Sequence, residues 1–281
     1  MIKPVYADKL YKGDFEQLAR QIGACYTNEL GPGDLPTKRN NPQLKAIIVP
    51  HHNYELSGPC MAWAYKEIAE ATFPKRFILL FPDTTGTHFD YATTEEDFET
   101  ILGVVQTDKE FIQKLLSKGI VKKTDSIKEH SIEVQLPFLQ YSNKDKIKEI
   151  KIIPIICPTT TNYQELAEQI LEISKDFTII CATNLTSYGI KYAYTPFKFN
   201  IKDSIKRIDK EALNYVLNYQ PEELLRFANR TKTTISGTKP LTLAIEILKQ
   251  LNAKPEVVCY YNSTKIIEDE NQISFTSVIF S

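Results

Sequence analysis

The sequence predicts one α/β domain over residues 1–281, with three α/β/α layers around a central mixed sheet. Two observations carry this. Continuous apolar runs of strand length recur at 44–50 (LKAIIVP), 76–81 (RFILLF), 151–157 (KIIPIIC) and 177–183 (FTIICAT), the pattern of strands buried on both faces. Between them lie longer segments whose apolar residues follow the helical period, and alternation of this kind specifies a layered α/β fold. Polar residues follow directly at the ends of several runs, where open α/β sheets bind their ligands.

Each element has a local reason. Asp14 can cap a helix whose apolar positions are Phe15, Leu18, Ala19, Ile22 and Tyr26, ending before Gly31. Residues 31–43 are polar and rich in Gly and Pro, a surface loop. After the strand at 44–50 a helix is expected to start near Gly58 and Pro59, with the proline in its first turn. A strand at 76–81 leads into the loop PDTTGTHFDY, followed by a third strand at Thr100–Val105 and a helix at Lys109–Leu116. The stretch EHSIEVQLPFLQ (129–140) sets Ile132, Leu136 and Leu139 on one helical face. Ser126 with Glu129 has capping-box spacing, and Pro137 predicts a bent or interrupted helix. Pro154 argues against a central place for the strand at 151–157. A helix at Tyr163–Ile173 precedes the strand at 177–183, and helices near 201–218, 221–229 and 240–251 precede terminal strands at Glu256–Tyr261 and Ile273–Phe280.

Composition excludes some functions. The chain of 281 residues is 42% hydrophobic and 25% charged, with a formal net charge of −1, so no electrostatic footprint for nucleic acid or an anionic membrane is present. No apolar leader and no membrane-length apolar segment occurs, which predicts a cytoplasmic protein. The five cysteines, Cys25, Cys60, Cys157, Cys181 and Cys259, lack paired spacing and read as buried thiols.

The candidate ligand cleft comprises His51, Asp83, Thr84, Glu129, His130, Asn184, Ser187 and Ser236. His130 is a candidate general acid or base with Glu129 or Glu133 as its orienting partner, or else a residue that hydrogen-bonds the wall of the cleft. Asp83 is either a hydrogen-bond anchor or a turn residue before Gly86. Tyr54 and Tyr188 either line the cleft or pack in the core with a wet hydroxyl. Ser187 and Ser236 are candidate nucleophiles, but neither lies in a G-x-S-x-G turn or has a base nearby in sequence.

In order, PHHNYELSGP (50–59), FPDTTG (81–86), TILGVVQTD (100–108), EHSIEVQLPFLQ, ATNLTSYG (182–189) and TISGTKP (234–240) resemble the Memo family over nearly the whole chain. The resemblance implies a fold like that of class III extradiol dioxygenases, partners of the radical SAM and AMMECR types, and in animal members a link to cell motility and to redox-active copper or iron. The departures are specific. His51 keeps the histidine of the family's PHAGY motif, with His52 and Asn53 replacing its small residue and glycine. The histidine of GPNHTG falls on Thr84, the aspartate and histidine of SDFSHYG on Asn184 and Ser187, and the cysteine of TICG on Ser236. Of the two histidines and the cysteine that would hold the family's metal, only His51 remains.

If a structural metal site is worth roughly 10–16 kcal/mol over its ligands, losing two of them removes on the order of 5–8 kcal/mol, about four decades of affinity. Thr and Ser hydroxyls do not replace an imidazole and a thiolate. His51, His52, Asp83, His88 and His130 supply donor atoms for a rebuilt site, but adjacent residues in an extended segment point opposite ways, which separates His51 from His52. The expectation is therefore no bound metal or cofactor, and a non-catalytic binding or scaffold protein that holds a peptide or small polar ligand. The alternatives are an iron- or copper-dependent redox or oxygenase-like enzyme with a rebuilt site, and a metal-free acid/base enzyme using His51 and His130.

Overall fold

The computed structural model describes residues 1–125, 127–158 and 162–281. Helix α1 (Phe15–Thr27) starts on Asp14, whose carboxylate accepts the Gln17 N–H at 3.0 Å. Then come β1 (Ala46–Val49), α2 (Tyr54–Glu70), β2 (Phe77–Pro82), β3 (Ala92–Thr93), β4 (Phe98–Thr100), β5 (Gly103–Thr107), α3 (Lys109–Ser117) and β6 (Lys122–Lys123). The middle of the chain supplies α4 (His130–Glu133), α5 (Gln135–Ser142), β7 (Lys151–Cys157), α6 (Tyr163–Ile173), β8 (Thr178–Ala182) and β9 (Ser187–Tyr188). It ends in α7 (Ile201–Leu217), α8 (Pro221–Thr231), α9 (Thr238–Gln250), β10 (Pro255–Asn262) and β11 (Gln272–Phe280).

The main sheet runs in the order β10-β11-β1-β8-β2-β7-β3-β6. Its centre is parallel, because β1 pairs β8, β8 pairs β2 and β2 pairs β7 in one direction; β10, β11 and β1 pair antiparallel, which makes the sheet mixed. Successive residues of the central strands enter opposite cores, as a period of two requires. Ile48, Ile78, Leu80, Ile153 and Ile179 pack with α3, α6, α8 and α9, whereas Ile47, Leu79, Ile152 and Ile180 pack with α1, α2, α4 and α5. This gives the expected three layers. Among the described residues no helix is long and apolar enough to cross a membrane.

Three local expectations are corrected. Helix α2 starts at Tyr54, not near Gly58, because the Asn53 side chain accepts the Leu56 N–H at 3.0 Å and caps it earlier; Pro59 lies inside the helix. Residues Thr100–Val105 are not one strand: Thr100 pairs with Gly103 across a tight turn, and Gly103 has φ +112°, a conformation that favours glycine. Pro154 is tolerated between β2 and β3 because its missing donor costs no ladder bond there. Asp108 N–H reaches the Ile152 carbonyl at 2.9 Å, the Thr93 hydroxyl reaches the Pro154 carbonyl at 2.6 Å, and the proline nitrogen lies on that same edge between the β5 and β3 pairings. The expected capping box pairs Glu129 with Ser126, which lies outside the described residues; Glu129 itself stands at the N-cap of α4 and makes no side-chain cap bond there.

Pro137 acts as expected. It has no N–H to offer the Glu133 carbonyl, and the helical stretch is interrupted at Val134, between α4 and α5. The break lets α4 present His130 to the sheet edge while α5 stays in the core.

Candidate functional site

Three adjacent parallel strands, β1, β8 and β2, end on one edge of the sheet and continue into His51, Thr183–Asn184 and Asp83–Thr84 respectively. Neighbouring ends are tied together: His51 N–H donates to Asn184 Oδ1 at 3.0 Å, and Gln135 Nε2 donates to the Pro50 carbonyl at 2.9 Å. The segment before α9 closes over this edge. A Cβ on Gly237 would lie 2.3 Å from Thr183 Cβ, so glycine is required for the segment to approach β8. That approach sets Ser236 beside Asn184, whose N–H donates to Ser236 Oγ at 3.0 Å.

His51 joins two elements through its ring. Its Nε2 is 2.7 Å from Ser236 Oγ and its Nδ1 is 3.2 Å from His130 Nε2, so a continuous chain runs Ser236–His51–His130. His51 is 2% exposed, while Ser236 and His130 are partly exposed. Burial, then the neighbouring His130 and His52, hold the His51 imidazole well below its usual range. Burial, then His52, lowers that of His130 as well. All parts of the chain are thus neutral near pH 7, and His51 has one proton to place on either of two bonded nitrogens.

Glu129 serves a different contact. Its carboxylate accepts Thr84 N–H at 2.8 Å, Thr85 N–H at 3.2 Å and the Thr84 hydroxyl, joining the β2 loop to the start of α4. Burial raises its pKa against the pull of these bonds. Glu129 therefore does not orient His130, and neither does Glu133, which accepts Val5 N–H at 2.9 Å, Tyr6 N–H at 2.8 Å and the Tyr11 hydroxyl at 2.7 Å. The side chain within hydrogen-bond distance of the His130 ring is His51.

The remaining expected residues surround this centre without joining it. Asp83 folds its own loop, accepting His88 N–H at 2.7 Å and the Thr85 hydroxyl at 2.8 Å; burial pushes its carboxyl up, but these bonds hold it below the usual value. It takes the turn role. Ser187 is held through its backbone, with its N–H on Thr234 Oγ1 at 2.8 Å and the Thr234 hydroxyl on its carbonyl at 2.6 Å. His52 packs its ring against Phe275, 5.9 Å between centroids. Tyr54 and Tyr188 are core residues, their hydroxyls donating to the Val134 carbonyl at 2.6 Å and the Phe197 carbonyl at 2.7 Å.

Three contributors have no sequence signal. Tyr6 lays its ring edge-on to His130, 5.7 Å between centroids. Thr234 fixes Ser187, and Asp209, buried on α7, holds the loop from behind by accepting Thr186 N–H at 3.0 Å and the Tyr260 hydroxyl at 2.8 Å. Their partners are distant in sequence, so no local spacing betrays them.

A family model described as Memo-like protein matches residues 3–279. The chain belongs to the Memo family. A MEMO1 family protein of Methanopyrus kandleri is 29% identical, covering 99% of this chain and 98% of its own length. Another, of Methanobrevibacter smithii, is also 29% identical, over 99% of each. A solved structure, an uncharacterized protein (JW3007) of Escherichia coli K12, has TM-score 0.50 over 85% of this chain and 100% of its own, at 11% identity, a likeness of fold.

The metal that the family resemblance implies does not fit the residues present. Thr84 is hydrogen-bonded to Glu129, and Ser236 is a neutral hydroxyl on His51. Among the described residues no group of three His, Cys, Asp or Glu side chains is placed to hold a metal ion. Such an ion needs about four ligands, with deprotonated sulfur or imidazole favoured.

Proposed function

We propose that this Memo-family protein uses its site without a metal, holding a small polar ligand and moving a proton on it through His51 and His130. The observation that carries the reading is the 2.7 Å contact of His51 Nε2 with Ser236 Oγ. In the sequence neither Ser187 nor Ser236 has a base nearby. His51 supplies that base, across a sequence separation of 185 residues.

The ligand sits against the partly exposed Ser236, His130 and Ser187, with Asn184 behind them. Its protein partners, of the radical SAM and AMMECR types if the family association extends to this chain, and its cytoplasmic setting as a single domain belong to the same proposal. A non-catalytic scaffold that holds a peptide in this place is the competing reading.

The test is titration of the wild type and of a Thr84→His/Ser236→Cys variant with Cu(I), Fe(II) and Zn(II) under reducing conditions. The wild type is expected to bind none tightly at one-to-one stoichiometry, and the double variant to gain at least about 100-fold, since each restored ligand is worth about 3 kcal/mol before strain. Tight stoichiometric binding by the wild type would overturn the metal-free reading.

A further inference from the structure

Ser236 has the surroundings of a nucleophile. Its hydroxyl lies 2.7 Å from a buried imidazole nitrogen, and its oxygen accepts the Asn184 N–H at 3.0 Å, a contact that stabilises negative charge on Oγ. Two proton arrangements satisfy every contact, and the one that leaves His51 Nε2 free to accept a proton is the one a general base needs. In it, Ser236 O–H donates to His51 Nε2, and His51 Nδ1–H donates to His130 Nε2 at 3.2 Å.

We propose that Ser236 is the nucleophile of an acyl-transfer site, with His51 as its general base and His130 as the positioning residue, acting on small oxyesters or thioesters. The inference rests on the metal-free reading of the same site. Ser236 Oγ bonds to the acyl carbon while its proton passes to His51 Nε2. The C–O or C–S bond to the leaving group breaks, and the departing alkoxide or thiolate takes that proton. Water then adds to the acyl carbon, giving a proton to His51, and Ser236 Oγ leaves and recovers it. The products are a carboxylic acid and an alcohol or thiol.

The neighbourhood decides the substrate class. In a serine triad, replacing the charged third member by a neutral one costs about 10⁴ in rate, and here the third member is neutral His130. Unactivated amides are therefore out of reach, while esters and thioesters, whose leaving groups depart readily, remain. Gly237 N–H is taken by Thr183 Oγ1 at 3.1 Å, so the donors left for the acyl oxygen are the Thr238 and Lys239 N–H groups in the first turn of α9. Lys239 stands at S-x-x-K spacing from Ser236, but no hydrogen bond joins the two among the described residues, whereas His51 is in contact; the base is His51.

The experiment exposes the full-length chain to a fluorophosphonate ester, which phosphonylates activated serines, and to p-nitrophenyl acetate. Intact mass and peptide mapping should find one adduct per chain, on Ser236. Ser236→Ala should abolish it, and His51→Gln should slow labelling at least about 100-fold. For His130, loss of the ring acceptor in His130→Ala should slow labelling, and His130→Gln, which keeps an acceptor, should restore part of the rate while leaving the native circular-dichroism spectrum unchanged. An unlabelled Ser236 in folded wild type, or equal labelling in His51→Gln, would overturn the nucleophile assignment. Ester turnover without an adduct would overturn it too, yet leave metal-free acid–base chemistry standing; tight metal binding in the titration above would instead remove the reading beneath it.

Discussion

At the residue scale the site is governed by one imidazole with both nitrogens engaged. His51 folded binds its proton less tightly than an unfolded histidine, because burial, His130 and His52 all penalise its charge. Between the ordinary value near 6.5 and its lower folded value the unfolded chain therefore carries more protons, and stability falls as pH drops through that window. The wild type should lose more stability than His51→Gln on going from about pH 7 to pH 5, by at most about 1.4 kcal/mol per pH unit in urea titrations. His130 and His52, which face it, act in the same direction, and Glu129, raised by burial, acts oppositely; all remain in the variant, so the difference isolates His51. His51 itself was legible in the sequence because it follows a buried strand directly. Its contact with Ser236 was not, because Ser236 reaches it from another part of the chain, and spacing carries no information on such contacts.

At the element scale, α4 ties the amino-terminal segment to the site. Glu133 accepts two backbone N–H groups and the buried Tyr11 hydroxyl. Glu133→Ala should cost about 2–4 kcal/mol, the sum expected for bonds to a charged acceptor when the backbone donors recover water and Tyr11 does not. Urea unfolding measures the loss, and amide exchange at Val5 and Tyr6 should quicken with it, since their acceptor is removed. The break at Val134 was readable from Pro137, since a missing N–H acts locally. Pro59 misled for the complementary reason: Asn53 had already capped α2, and a tertiary setting that buries the helix outweighs the local preference for a proline in the first turn. Pro154 misled because its cost depends on which neighbour faces its nitrogen, a property of the sheet and not of the strand.

At the scale of the whole molecule, alternation along β1, β2, β7 and β8 divides the apolar residues of these strands between two cores, and the layered architecture was readable from those runs together with the helical segments between them. The cysteines are spread more widely: Cys157 and Cys181 lie in one core, Cys25 in the other, and Cys60 and Cys259 at a smaller third cluster. Cys25, Cys60, Cys157 and Cys181 are buried, Cys259 is partly exposed, and all five are free. Burial pushes the Cys25 thiol up to about 12 and raises the thiols of Cys60, Cys157 and Cys181, so none of these four reacts readily in the folded state. Thiol titration should find Cys259 reacting first in the native protein and five thiols after denaturation. The gathering of polar residues at the carboxyl edge of the central strands was likewise legible, because β1, β8 and β2 are neighbours and their ends converge. Which of those side chains touch was not, since that depends on contacts between distant parts of the chain.

The central claim, that His51 is a neutral hydrogen-bonded base and not a metal ligand, is tested most directly by ¹⁵N NMR of histidine-labelled protein with and without one equivalent of Zn(II). The account predicts a neutral His51 ring at pH 6.5, with nitrogen shifts that Ser236→Ala perturbs and Zn(II) does not. A His51 nitrogen that moves to a coordinated shift with one equivalent of Zn(II), or a ring that is half protonated at that pH, would contradict it.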